Sequence, residues 1–244
     1  VESLKMKKSL LVLALAAAFA PALAQAEAGD IVVRLRATHV APDESSSLGS
    51  ITTANLTNFP LTGTAVYGSE GAQLQVDSNT IPEIDFSYYI TKNIAAELIL
   101  AIGTRHDVSV SGTGGILNSR NLGSVNLLPP TLTAQWHFMP DTMFDPYVGA
   151  GVAYVLGMDR SLTANTAAGN LPIRIDRHSF GGVLQAGLDI NLQDKWLVNF
   201  DVKKAWFGTD VELDTAPIGG PGWQKIDNLD IDPWVVSIGF GKKF

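Results

Sequence analysis

Past residue 26 the apolar positions of this chain recur mostly at every second residue, the period of a strand with two unlike faces. The clearest run closes the sequence. Trp234, Val236, Ile238, Phe240 and Phe244 alternate with small or polar residues, Val235 and Lys242 being the exceptions. Seven further segments read the same way. Around Asp30 to Val40, Val33, Leu35 and Ala37 oppose Arg34, Arg36 and Thr38. Around Ile81 to Ile90, Ile84, Phe86, Tyr88 and Ile90 oppose Glu83, Asp85, Ser87 and Tyr89. Around Ile94 to Arg105, Ala96, Leu98, Leu100 and Ile102 oppose Glu97, Ile99, Gly103 and Arg105. Around Leu128 to Phe138, Leu132, Ala134, Trp136 and Phe138 oppose Thr131, Thr133, Gln135 and His137. A fifth segment, Pro146 to Leu156, sets Val148, Ala150, Val152 and Tyr154 against Gly149, Gly151 and Ala153. Phe180 to Leu192 sets Leu188, Ile190 and Leu192 against Gly187, Asp189 and Asn191. Trp196 to Val211 sets Trp196, Val198, Phe200 and Val202 against Asn199, Asp201 and Lys203, with a bulge expected near Lys203-Lys204.

Strands of about ten residues with one apolar face are long enough to cross a bilayer when tilted. The segments between them alternate in length. Thr91-Lys92-Asn93, Met139 to Asp145 and Gln193-Asp194-Lys195 are short; 41–80, 106–127, 157–179 and 212–228 are long and rich in small polar residues. An all-β chain with this asymmetry predicts an eight-stranded antiparallel up-and-down transmembrane β-barrel, with long external loops, short periplasmic turns and both termini periplasmic. Aromatics predict two interfacial belts: Tyr88, Tyr89, Trp136, Phe138, Tyr147, Trp196 and Phe244 beside the short turns, and Trp206, Phe207 and Trp234 at the far ends.

Residues 1–26 follow another pattern. Met6-Lys7-Lys8 precedes an apolar run from Ser9 to Ala20, and Ala22-Leu23-Ala24 and Ala24-Gln25-Ala26 are small-x-small sites. This is expected to be a short extension and a cleaved secretory signal peptide, leaving 27–244 as the barrel. No later segment holds the roughly 18 apolar residues of a helical span. The net charge of −7 becomes more negative once Lys5, Lys7 and Lys8 are gone, so no broad basic footprint for nucleic acid exists. With no cysteine, disulfides and thiolate chemistry are excluded. The four histidines are scattered without metal-ligand spacing, so no metal or cofactor is expected, and no catalytic residue stands out.

Several stretches resemble the OmpW family of small outer-membrane proteins: Leu128-Pro129-Pro130-Thr131-Leu132-Thr133-Ala134-Gln135-Trp136, Pro146 to Val152, Tyr88 to Ala95, and Asp232-Pro233-Trp234 through Phe244. The resemblance implies an eight-stranded barrel and a passive channel for small hydrophobic molecules, the family including alkane-uptake members. It implies a dry lumen closed toward the periplasm, with cargo leaving sideways through the wall. It also implies that Trp234, Val236, Ile238, Phe240 and Phe244 form the signal recognised by the barrel-assembly machinery.

Eight strands enclose space for little more than side chains. The expected lumen residues are Arg34, Arg36, Glu83, Asp85, Glu97, Arg105, Gln135, His137, Asp189, Asp201 and Lys203. Both signs are present, so they are read as a plug of ion pairs and, compatibly, as a polar floor beneath an apolar pocket. Apolar residues in the external loops mark a hydrophobic entrance or ordinary loop packing: Leu56, Phe59, Leu61 and Tyr67 in the first, and Leu162, Leu171 and Ile173 in the third. Pro129-Pro130, Pro82 and Pro233 mark either strand starts or gaps in the wall, since proline cannot donate to a ladder. Arg105-His106-Asp107 and Asp176-Arg177-His178 flank external loops and are read as solvated rim charges, able to pair with lipopolysaccharide phosphates or with each other. The function expected is diffusive uptake of small hydrophobic solutes by a monomeric barrel in outer-membrane lipid. The alternatives are a surface receptor for phage, colicin or a host surface, and a lipid-modifying enzyme using His106 or His178.

Overall fold

The computed structural model describes residues 27–56, 62–101, 104–111, 114–167 and 169–244. Residues 1–26, with the expected signal peptide, and Phe59 and Leu61 of the expected entrance lie outside that set. In chain order the elements are β1 (Ile31–Ala41), α1 (Leu48–Asn55), α2 (Gly63–Tyr67), β2 (Leu74–Val76), β3 (Asn79–Tyr89), β4 (Ile94–Ala101), β5 (Thr104–Val110), β6 (Asn121–Leu128), β7 (Thr131–His137), β8 (Phe144–Asp159), β9 (Ser161–Thr166), β10 (Gly169–Ile175), β11 (His178–Asn191), β12 (Trp196–Trp206), β13 (Gly208–Asp214), β14 (Trp223–Asp230) and β15 (Trp234–Lys243).

Strands β1, β3, β4, β7, β8, β11, β12 and β15 pair antiparallel in that sequence, and β15 returns to β1 through pairs such as Arg34↔Gly241 and Thr38↔Ser237. The sheet closes on itself as an eight-stranded barrel, so each wall strand has a neighbour on both sides. Closure is what a lipid environment demands, because no water is present there to satisfy an open edge. The period-two pattern sorts the side chains. Leu35, Phe86, Leu98, Leu132, Val152, Leu184, Phe200, Ile238 and Phe240 stand on the outer surface, Leu35 and Phe240 being 65% exposed. Such a continuous apolar surface is too large for a water-facing wall and suits hydrocarbon. Lys242, the polar break on that face, places its Nζ 4.9 Å from the centre of the Trp196 ring, so its stem stays on the apolar wall while its charge sits at the edge.

The expected barrel strands are present, with four revisions. The third run breaks: β4 stops at Ala101 and β5 starts at Thr104. Both of those residues are buried, an odd step apart, so the alternation changes phase and Arg105 points outward while His106 points in. The expected bulge at Lys203-Lys204 is absent, since β12 keeps register with both neighbours there; the break falls at Phe207 instead. Two expected belt tyrosines, Tyr89 and Tyr147, are each 1% exposed and point into the lumen, because they share the parity of Asp85 and Asp145. Phe207 also leaves the belt and packs inward.

The long connections are built structure. β2, β5 and β6 extend the barrel sheet outward, and β14-β13-β10-β9 form a second, four-stranded sheet. This sheet continues the hairpins of β8, β11, β12 and β15 past the wall. With α1 and α2 it encloses an apolar core that includes Leu48, Val66, Leu74, Leu171, Val211, Leu213 and Ile226. A cap on the long-loop end is the result.

Candidate functional site

The inward faces of the wall strands carry an ionic network at the short-turn end. Arg34, wholly buried, donates from Nη2 to Asp189 Oδ2 at 2.6 Å, from Nε to Oδ1 of the same carboxylate at 3.3 Å, and from Nη1 to Asp85 Oδ1 at 2.9 Å and Ser87 Oγ at 2.7 Å. Arg36, one layer further out, donates to Asn199 Oδ1 at 2.7 Å, Glu83 Oε1 at 3.0 Å and Glu97 Oε1 at 3.1 Å. Lys203 lies 2.7 Å from Asp201 and 3.3 Å from Glu83. Gln185 donates to both Glu97 and Asp201 at 2.8 Å, and Tyr147 Oη donates to Asp201 at 2.7 Å. Below these, His137 sits between the rings of Tyr89 and Tyr147, at 5.0 and 4.9 Å, with Nδ1 2.7 Å from Asp145 Oδ2.

Charges in so narrow a space persist only with partners, and here each cation reaches across the lumen to carboxylates on other strands. Of the residues read as lumen-lining, Arg34, Arg36, Glu83, Asp85, Glu97, Gln135, His137, Asp189, Asp201 and Lys203 are brought together; Arg105 is exposed on the outside of β5. Sequence reasoning left out Tyr89, Asp145, Tyr147, Gln185 and Asn199. Tyr89 and Asn199 already stood on the polar faces of their segments, so parity alone was enough to find them.

Above the floor the lining changes character. A cavity with about 1130 Å³ of empty space, counting its open parts, runs from Glu83 and Lys203 up to the cap. Its walls are Val40, Ile81, Ile99, Ala153, Val155, Val183 and Ala205 from the barrel, and Leu162, Ile175, Val211, Leu229 and Ile231 from the cap. Of the residues read as an entrance, Leu162 lines this cavity. Leu56, Tyr67, Leu171 and Ile173 instead fill the core of the cap. Burial pushes the Tyr67 phenol up from its ordinary value, with the Thr52 hydroxyl 3.3 Å away acting in the opposite sense.

Pro129, Pro130 and Pro233 fall between strands, and Pro82 falls within β3. β7 begins at Thr131, paired with Ile99 of β4, while β6 ends at Leu128 and pairs through Leu127 with Thr104 of β5. Between them Pro129 and Pro130 supply no N–H. Pro130 still accepts from Tyr154 N at 2.9 Å on the β8 side, and among the described residues the pairing of β7 with β4 ends at Thr131↔Ile99. Pro82 faces outward opposite Ala37, one residue past the last β3–β4 pair, Glu83↔Ala101. Pro233 precedes β15 and, like Pro129, lines the cavity.

A closed eight-stranded wall with a lipid-facing surface, a plugged lumen and a built-up cap on the long-loop end defines an integral barrel of the Gram-negative outer membrane. The OmpW family profile matches residues 27–244, and the chain belongs to that family. Outer membrane protein W of Vibrio cholerae is 32% identical, covering 98% of this chain and all of the relative. The outer-membrane protein y4mB of Sinorhizobium fredii is 37% identical over 74% of this chain and 72% of its own. The crystal structure of OprG from Pseudomonas aeruginosa superposes with a TM-score of 0.74 at 30% identity, over 90% of this chain and 98% of that one.

Proposed function

We propose that this barrel is a passive conduit for small hydrophobic molecules, which enter the apolar cavity from the outer surface and leave sideways into the membrane. The observation that carries this reading is the stacking of an apolar cavity directly on an ion-paired floor. Each CH₂ of a cargo that leaves water for such a cavity gains about 0.8 kcal/mol. The floor offers the same cargo no apolar path onward, and ions no free charge to follow. The remaining way out is lateral, and the ladder interruption at Pro129-Pro130, beside a cavity-lining residue, is the place for it. A relative from Pseudomonas aeruginosa, 27% identical over 71% of this chain, is named as a dibenzothiophene metabolism operon protein, and dibenzothiophene is a compact, apolar arene. No covalent step and no energy source is required.

The test is uptake of a labelled medium-chain alkane by cells lacking their own hydrophobic channel, with and without this barrel, and with a hydrophilic sugar as control. Faster alkane uptake at unchanged sugar uptake is expected. Unchanged uptake of both, with folded barrel present in the membrane, would sink the reading and favour a receptor whose cap binds a surface partner.

A further inference from the structure

The cavity is apolar but carries a small set of polar side chains, and nearly all of them are engaged. Thr38 donates to Ser237 Oγ at 2.9 Å, Thr131 to Pro129 O at 3.1 Å, Thr209 to Asp210 O at 3.3 Å, and Thr104 to the Leu127 carbonyl. Glu83 and Lys203 belong to the ion-paired floor. His106 differs. It lies on the inward face of β5, 4% exposed, in the cavity lining. Its Nδ1 lies 2.8 Å from the backbone oxygen of Asp77. A carbonyl only accepts, so Nδ1 carries the proton, and in the neutral ring Nε2 is left with its lone pair as an acceptor. Among the described residues Nε2 has no protein donor, although it is placed in a wall whose neighbours on the same strand face, Thr104 and Val108, also line the cavity. A plain hydrocarbon seated against this cavity-lining nitrogen would strip it of water without replacing the bond, and a ligand that brings a donor avoids that cost.

Resting on the conduit reading above, we propose that His106 sets the cargo class: small hydrophobic molecules bearing one O–H donor, such as alkanols and phenols, are held in preference to plain hydrocarbons of the same size. The hydrocarbon part fills the apolar wall and the hydroxyl donates to Nε2. The second ring nitrogen, tied to Asp77, fixes both the tautomer and the direction of the lone pair. The selection is of moderate strength, because the hydroxyl gives up a bond to water to make this one.

The measurement is uptake of labelled 1-octanol and n-octane by cells lacking their own hydrophobic channel, each rate corrected for cells without the barrel. The quantity read is the alcohol-to-alkane ratio for the full chain and for His106→Leu and His106→Gln. The ratio is expected to fall about three- to tenfold in His106→Leu, the worth of one neutral hydrogen bond, and to recover in large part in His106→Gln, which restores a donor for Asp77 and an acceptor for the cargo. An unchanged ratio in His106→Leu, with barrel-dependent uptake of both cargoes intact, overturns the assignment to His106 and leaves the conduit standing. If His106→Leu does not fold, a wild-type barrel that carries octanol no better than octane overturns it alone. Failure of both cargoes to show barrel-dependent uptake by the wild type overturns the conduit, and this selection with it.

Discussion

Arg36 reaches carboxylates on two strands, Glu83 and Glu97, and an amide on a third, Asn199, so its removal leaves several groups without a partner at once. Arg36→Leu is expected to destabilise the barrel by about 3–5 kcal/mol, the usual result of breaking a buried pair from one side. The midpoint of urea unfolding in lipid vesicles measures it, and a shift no larger than that of a surface Arg→Leu control would refute the central role given to this side chain. Gly187 is constrained from the same direction. A Cβ there would lie 2.2 Å from Cζ of Tyr147. Gly187→Ala therefore forces the ring aside and weakens the 2.7 Å bond from Tyr147 to Asp201. The expected loss is about 1–3 kcal/mol, read in the same assay.

Among the elements, the β6–β7 break is the one whose chemistry is most easily reversed. Replacing Pro129 and Pro130 together by Val and Thr restores one N–H on each side of the strand, at 129 toward β4 and at 130 toward β8, and is expected to tighten the wall and slow alkane delivery severalfold with the cavity intact. Equal delivery by the double variant would move the exit elsewhere. Element identity was largely legible in the sequence, because a wall strand between lipid and a charged lumen must alternate at nearly every step. Arg34, Glu83 and Asp201 could be placed inside by parity alone. Parity is also where the reading failed. A chain that changes phase between Ala101 and Thr104 keeps the same composition, and only the structure says that His106, and not Arg105, inherits the inside. The cap was illegible for a different reason. Its strands hold small polar residues on one side and isolated apolar residues on the other, and the apolar side has meaning only once β9, β10, β13 and β14 have been brought together. Leu171 and Ile173 could therefore be read as an entrance or as loop packing, and they are cap core.

At the scale of the molecule one carboxylate gathers several of the ties within the cap. Asp227 accepts from the Ser46 hydroxyl, from Ser47 N at 2.9 Å and from Asn228 N at 2.8 Å, tying β14 to the start of α1, while Ser46 Oγ also accepts from Leu74 N at 2.8 Å. Burial raises the carboxyl above its usual range against the pull of those donors. A raised value in the fold means that the unfolded chain ionises first. The contribution of Asp227 to cap stability is then greatest at acid pH and declines as pH climbs from the ordinary carboxylate value through the raised one. Hydrogen exchange of the α1 amides is expected to quicken across that window, and Asp227→Asn to flatten the dependence. An identical pH profile in the variant would assign the slope to other groups.

The cross-lumen ties of β1 bear on how such a barrel comes to exist. Arg34 and Arg36 are made early in the chain and meet Asp85 and Glu83 on β3 first, while Glu97 on β4 and Asp189 on β11 arrive later and the seam with β15 is last. A half-built sheet would hold two guanidinium groups with only part of their partners. A partial barrel is then expected to be penalised in hydrocarbon, with the pairing of β15 onto β1 closing the ring around the last of these ties, so that the ion-paired plug would also act against an unfinished wall.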